Sequence, residues 1–413
     1  MNYSTHSSER RNTTNLRLRN RLLISGLILV NLVLLTACSQ SHRNILKPGL
    51  AGYDQYPDGG GLFVSATFGP DGRLWRIVPE KHHVYVDYST DLGKTFSSPV
   101  LINKEAQRIK VSGENRLGIA VDSYGRIYII YAAEGDQPVV VYFSVSTDHG
   151  QSFSIPTPLS DGAAEANSFQ ASFALSPSGK VYAFWHDERD RNDWRQTGNA
   201  IYYTSIEPNG QIPPARKLAD RLCECCRIAA DFDKNGQTVV LARFIYSGSI
   251  RDHGLIVLQT NGKPELQRAT YDQWKIEACP EHGPAMTIGQ DNNYHIVWFT
   301  LGSVRQGLFY AHSSDQGKHF SEPMAVGNPD KLASHPDILA RGKRIVIAWN
   351  EFDGVTTQLK SMQSHDNGIS WSTPSTLATS SAETDFPFLL SKGKAIFVSW
   401  NNKSDGYRLI AVE

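Results

Sequence analysis

Four copies of one pattern, Ser-x-Asp-x-Gly-x-x-aromatic, recur along this chain: residues 89–96, 146–153, 313–320 and 364–371. Each follows an alternating run such as Val84-Tyr85-Val86-Asp87-Tyr88, and each is followed by a Ser-x-Pro step such as Ser321-Glu322-Pro323. Ser and Asp side chains hydrogen-bond to nearby backbone groups and fix a tight turn. Gly supplies the positive φ such a turn needs. The closing aromatic is placed to fold back onto the sheet as an anchor. A hairpin repeated in this way predicts an array of small sheets.

A second periodicity covers the same stretch. Turn clusters such as Pro70-Asp71-Gly72, Ser123-Tyr124-Gly125, Pro177-Ser178-Gly179 and Lys234-Asn235-Gly236 precede apolar, aromatic-ended strands. Their landmarks are Trp75, Tyr131, Trp185, Phe244, Trp298, Trp349 and Trp400, at intervals of 56, 54, 59, 54, 51 and 51 residues. Each interval holds about four short strands with their connections. The last unit, Phe386 to Val412, shows three strands, and an incomplete unit leaves an exposed edge. Ile45 to Tyr56 is the candidate strand to complete it. No apolar 3.6-residue period persists after residue 37, so helix content is expected to be very low.

The four-fold pattern is the Asp box, and the chain resembles the Asp-box (BNR-repeat) sialidase-superfamily β-propeller lipoproteins. The resemblance implies an all-β fold: a β-propeller of about seven four-stranded blades, with six, the sialidase number, as the alternative. In that family the box lies on the outer hairpin, away from the central cleft. Asp91, Asp148, Asp315 and Asp366 are accordingly expected to be structural.

Residues 1–37 read as a targeting segment. Arg10, Arg11, Arg17, Arg19 and Arg21 precede an apolar run of 14 residues, Leu22 to Leu35, and Leu35-Thr36-Ala37-Cys38 has the form of a lipobox. That is a bacterial secretory signal, and the run is short of the roughly 20 residues a spanning helix needs. Cys38 is the expected lipid-attachment residue. The multiple acyl chains that the resemblance implies would give stable membrane anchoring. Ser39 after it resembles outer-membrane sorting in the bacterial cell envelope. The expected organisation is a signal peptide over 1–37, a lipidated tether and possible closing strand over 38–57, and the propeller over 58–413. The chain has 41 basic and 41 acidic residues, of which five and one lie in the first 37; 36 and 40 remain, a net charge of −4. No basic patch marks it as a nucleic-acid binder.

In a propeller, inner-strand starts and the loops between second and third strands gather at one mouth of the central channel. Those positions carry Glu114-Asn115-Arg116, Ser168-Phe169-Gln170, Cys226-Arg227, Ser334-His335-Pro336 and Asp385-Phe386-Pro387, with Asp187-Glu188, Arg251-Asp252-His253 and Glu351 on the loops. Paired carboxylates beside a scissile bond serve glycoside hydrolysis, making Asp187, Glu188 and Glu351 candidate catalytic residues. Sialidases clamp the sugar carboxylate with three arginines, and Arg116, Arg227 and Arg251 are the substrate-binding candidates by placement. The family's Arg-Ile-Pro signature is approached only by Arg76-Ile77-Val78-Pro79, and no tyrosine, Tyr407 included, has the context of its nucleophile.

Four cysteines remain beyond Cys38. Cys223-Glu224-Cys225-Cys226 opens the fourth repeat and Cys279-Pro280-Glu281-His282-Gly283-Pro284 the fifth. On an extended strand Cys223 and Cys225 would face one way and Cys226 the other. In an exported protein disulfides are expected, Cys279 with one of the three and the other two with each other. The alternative is a soft-metal site for copper or zinc built from these thiolates and His282. Asp231-Phe232-Asp233-Lys234-Asn235-Gly236 imitates a calcium loop, but its twelfth position is Ala242 rather than Glu, so it reads as a turn. Two functions are left open: a membrane-anchored, sialidase-like glycan-processing protein, or a non-catalytic envelope propeller binding a glycan, peptide or protein.

Overall fold

The computed structural model describes residues 62–413 except 81, 135–137, 161–165, 177, 192–197, 208–209 and 259–263. The signal segment, Cys38 and the candidate closing strand Ile45 to Tyr56 lie outside the described residues. Among the described residues no helix is long and apolar enough to cross a membrane.

The chain folds into consecutive antiparallel sheets. The first holds β1 (Ser65–Phe68), β2 (Leu74–Glu80), β3 (His83–Ser89) and β4 (Val100–Leu101). The second holds β5 (Arg108–Lys110), β6 (Gly118–Val121), β7 (Ile127–Glu134), β8 (Val140–Ser146) and β9 (Thr157–Pro158), with β5 and β6 sharing one edge of β7. The third is β10 (Ser168–Leu175), β11 (Val181–Asp187), β12 (Asn199–Ile206) and β13 (Arg216–Leu222). The fourth group is β14 (Ala229–Phe232), β15 (Thr238–Tyr246), β16 (Ile250–Leu258) and β17 (Pro264–Arg268), joined to the third through the single pair Leu222 and Phe244. Then follow β18 (Ala285–Ile288), β19 (Tyr294–Leu301), β20 (Gln306–Ser313) and β21 (Met324–Val326). The sixth group is β22 (Ser334–Arg341), β23 (Arg344–Phe352), β24 (Thr357–Ser364) and β25 (Ser375–Ser380). The last has three strands, β26 (Phe388–Lys392), β27 (Ala395–Asn402) and β28 (Gly406–Val412). The helical content among the described residues is one 3₁₀ turn, Pro329–Lys331.

The core lies between sheets. Consecutive sheets share apolar clusters, so β7, β11, β15, β19 and β23 are covered on both faces. That is why these strands read as continuous apolar runs, Ile127–Glu134 for example, rather than alternating ones. All seven aromatic landmarks fall on these strands or on their counterparts β2 and β27, and are buried. Three of the indole N–H groups are tied down by carboxylates: Trp185 to Asp187 at 2.9 Å, Trp298 to Asp272 at 2.7 Å and Trp349 to Glu351 at 3.0 Å. The strands β1, β6, β10, β14, β18, β22 and β26 lie each against the next, and β26 lies against β1.

All four Ser-x-Asp-x-Gly turns have one geometry. Ser146 Oγ donates to Asp148 Oδ1 at 2.7 Å and accepts from Gly150 N at 2.8 Å, while Asp148 accepts from Ser152 N and Oγ. Ser89, Ser313 and Ser364 repeat the pattern. Two successive left-handed residues make the turn, as in Asn367 and Gly368 at φ 60° and 83°. Glycine is needed there twice over, because a Cβ on Gly368 would overlap Tyr310 and one on Gly150 would overlap Trp75. Each turn thus docks on the preceding sheet, and Gly93 lies against Leu409 and Tyr407 of the last. The closing aromatics are anchors as expected: Trp371 meets Tyr310 at 4.8 Å and Phe96 meets Tyr407 at 5.7 Å. These hydrogen bonds hold the Asp148, Asp315 and Asp366 carboxyls down at about 2. The calcium-like segment is a hairpin turn in which Asp233 Oδ1 accepts from Asn235 N and Gln237 N.

Candidate functional site

The starts of the innermost strands converge on one polar cluster. Glu114 Oε2 accepts from Arg227 N at 2.9 Å and Gly283 N at 2.8 Å, and its Oε1 lies 3.6 Å from Arg227 Nη1. Arg227 also donates to the carbonyls of Pro284 and Pro336. Arg116 pairs with Asp385 and donates to Val64 O at 2.9 Å, while Asp385 Oδ2 accepts from Phe63 N at 2.6 Å. Gln170 bridges the second and fourth sheets, donating its backbone N–H to Asn115 Oδ1 and its Nε2 to Cys225 O. Beside them His282 and His335 stack at 4.4 Å, and His335 stacks on Phe386 at 3.5 Å.

The electrostatics follow from burial. Arg116 is drawn down to about 9 by desolvation and then by the like charge of Arg227. His282 falls to about 3 through burial and the charges of Arg243 and Arg227; His335 falls well below its usual value through burial and His282. Asp337 and Glu281 are raised, both chiefly by burial. Glu114 Oε1, Arg116 Nε, Gln170 Oε1, Arg227 Nη1 and His282 Nδ1 are buried without a hydrogen-bond partner among the described residues. Phe63, Gln170, Glu281 and His335, all at strand starts, adopt left-handed φ of 72°, 49°, 52° and 50°. Such strain persists only where the surroundings enforce it.

The sequence-predicted set is brought together only in part. Arg116 and Arg227 share the cluster, both near Phe388. Arg251 lies elsewhere, donating to Glu224 Oε2 at 2.8 Å and Cys223 Sγ at 3.2 Å. Asp187 is fully buried and holds Arg189, Ser168 and the Trp185 indole. Glu188 holds Asn167 and Arg191. Glu351 holds Trp349 and Asn328 N. Every one of these carboxylates is engaged within its own neighbourhood. Sequence reasoning missed Arg243, whose signal is a lone arginine inside the apolar strand Thr238–Tyr246.

The cysteines bear out one expectation, a Cys279 disulfide to one of the other three, and correct two. Cys279 is bonded to Cys225, so the fourth and fifth groups are linked covalently. Cys223 and Cys226, expected to form the second bond, are free thiols with their Sγ atoms 3.5 Å apart. The strand geometry expected for them is replaced by a turn at Glu224 and Cys225, which brings Cys226 back beside Cys223. The Sγ atoms of Cys223, Cys225 and Cys226 all lie within 4.8 Å of one another, a spacing on which a metal ion can be held. His282 is not in that group; its ring is stacked between Phe299 and His335. Cys226 is raised by burial and by the Cys223 thiol. For Cys223, burial pushes up, but the Cys226 hydrogen bond and the charges of Arg243 and Arg251 prevail and hold it below the usual thiol value.

On the side of the Ser-x-Asp-x-Gly turns, a groove of about 900 Å³ runs between the first and second sheets. Trp75, Tyr88, Tyr124, Asp71, Arg73 and Gln151 line it, and Tyr124 is 74% exposed. Arg73 lies 4.6 Å over the Tyr88 ring.

No protein-family model matches the sequence, and no curated protein matches it. Solved structures of similar fold include the lectin BP39L of Burkholderia pseudomallei, at a TM-score of 0.55 and 13% identity over 87% of this chain and 100% of that one. The ulvan lyase of family PL25 follows at 0.53 and 12%, over 85% and 94%. The Hadza microbial sialidase Hz136 is similar at 0.50 and 10%, over 80% and 73%. At these identities the likeness is one of fold. The chain therefore has a propeller-like, all-β architecture of antiparallel sheets that glycan-active proteins also use.

Proposed function

We propose that this chain is a lipid-anchored, glycan-binding β-propeller of the bacterial envelope that binds rather than cleaves its ligand. Seven blades account for the seven strand groups, and the docking of Gly93 on the last sheet supports closure, with Ile45 to Tyr56 completing the three-stranded blade. Cys38 carries the lipid and holds the protein at the outer membrane.

The observation that carries binding over hydrolysis is the internal engagement of each candidate acid: Asp187, Glu188 and Glu351 each hold neighbouring groups of the fold. Arg116 and Arg227 are likewise neutralised by Asp385 and Glu114, which leaves no three-arginine clamp for a sugar carboxylate. The groove beside Tyr124 has what a sugar needs, an exposed aromatic ring flanked by a few polar groups. A glycan array probed with the full chain should reveal binding that Tyr124→Ala weakens about tenfold, the loss of one ring contact of about 1.4 kcal/mol. A fluorogenic sialoside should show no turnover above Glu351→Gln and Arg227→Ala controls. Turnover abolished by those substitutions would replace binding with catalysis. Labelling with palmitate that Cys38→Ala removes would test the anchor.

A further inference from the structure

The free thiols Cys223 and Cys226 and the Cys225–Cys279 disulfide occupy one small volume with unequal access to solvent. Cys223 and Cys226 are wholly buried, Cys225 is half-buried and Cys279 is exposed. Three of the four sulfurs lie within 4.8 Å of one another, and one of those three already belongs to a disulfide. Thiol–disulfide exchange needs little more than that: a thiolate, a disulfide sulfur within reach and a stabilised leaving group.

The surroundings supply the other two requirements. Arg251 Nη1 donates to Cys223 Sγ at 3.2 Å. Arg243 is fully buried beside the pair, and its guanidinium is held by the carbonyls of Arg251, His282 and Phe299 with no carboxylate partner among the described residues. A buried cation without a counter-charge is costly, and a thiolate at Cys223 supplies one. The Glu281 N–H donates to Cys225 Sγ at 3.3 Å, where negative charge would collect if Cys225 were displaced.

We propose that the four cysteines form an intramolecular thiol–disulfide relay that moves one disulfide between the exposed Cys225–Cys279 position and the buried Cys223–Cys226 position. Cys223 thiolate attacks Cys225 Sγ; the Cys223–Cys225 bond forms, the Cys225–Cys279 bond breaks, and Cys279 leaves with the electron pair and takes a proton from water. Cys226 then gives up its proton and attacks Cys223 Sγ, displacing Cys225 as a thiolate that is reprotonated. One disulfide and two thiols stand on each side, so no outside oxidant or reductant enters. The consequence is mechanical: the link between the fourth and fifth sheets opens at Cys279, four residues before the Gly283 N–H that Glu114 accepts. The relay also presents a reactive Cys279 thiol on the surface, suited to a partner's disulfide.

The test is alkylation of the folded full chain by iodoacetamide in chelator and without reductant, followed by peptide mapping of labels and disulfides. The relay predicts label on Cys279 together with a Cys223–Cys226 bond, arising about tenfold faster than in Cys223→Ser. It also predicts that Cys226→Ser stalls at a Cys223–Cys225 bond with Cys279 labelled, which checks the first step even if Cys223→Ser folds poorly. Cys279 staying unlabelled in the wild type, labelling at equal rates in Cys223→Ser, or a Cys225–Cys279 bond retained by all Cys226→Ser protein would overturn the relay.

Discussion

The Ser-x-Asp-x-Gly turns and the polar mouth both rely on carboxylates that gather backbone N–H groups, yet at opposite ranges. Asp148 reaches only as far as Ser152, in contact with water, and three other copies repeat its bonds. Glu114 reaches Arg227 and Gly283, 113 and 169 positions away, while buried. The turns can form as soon as each hairpin does. The mouth exists only once distant sheets have met, and no two of its strand starts are alike. Repetition builds the frame here, and its unrepeated side carries the individuality.

Breaking the mouth should have the largest effect. Glu114→Ala leaves Arg227 buried without its carboxylate and should cost about 3–5 kcal/mol in urea unfolding; a loss under about 1 kcal/mol would reduce the cluster to incidental pairing. Gly368→Ala comes next. Left-handed strain and the overlap with Tyr310 should together cost about 2–5 kcal/mol, against about 1–2 kcal/mol for Gly393→Ala, where φ is also positive but the space is open. The difference between the two isolates the docking of a turn on its neighbouring sheet.

Acid should separate the regions more finely. Below about 6.5 the unfolded chain takes up protons that buried His282 and His335 refuse in the fold, so stability falls with pH from there towards about 3. His186, His253 and His295, depressed chiefly by burial as well, add to this step. The turn carboxylates are depressed too, so their share is intact above about 4 and is lost only as pH falls from there through about 2. Urea midpoints measured from pH 7 to 2 should therefore fall first through the histidines and later through the turns. His282→Gln with His335→Gln should shrink the first drop alone. Smallest of all, Asp148→Asn should lower the melting temperature slightly at neutral pH and flatten only the second drop.

What the sequence revealed follows the same division. The hairpins and the aromatic landmarks were legible because a turn is settled by neighbouring residues and a strand covered on both faces must be apolar throughout. Cys223 and Cys226 were illegible because an extended segment was assumed where Glu224 and Cys225 turn. The strand starts with Arg116, Arg227, His335 and Asp385 could be named in advance, but not their partners. Pairing of Arg116 with Asp385 depends on how the second and last sheets approach, which no local pattern records. Asp187 and Glu351 looked catalytic for want of one fact, that indole N–H groups two residues earlier needed an acceptor.

The backbone pair between Leu222 and Phe244 fuses the third and fourth sheets, and the Cys225–Cys279 bond rivets the fifth to them. That arc should breathe as a single block. Opening is then displaced to the seam between the earliest and latest sheets, where Phe68 and Phe397 meet side by side. Amide exchange should run fastest along that seam, and a wedge driven into the assembly would enter there.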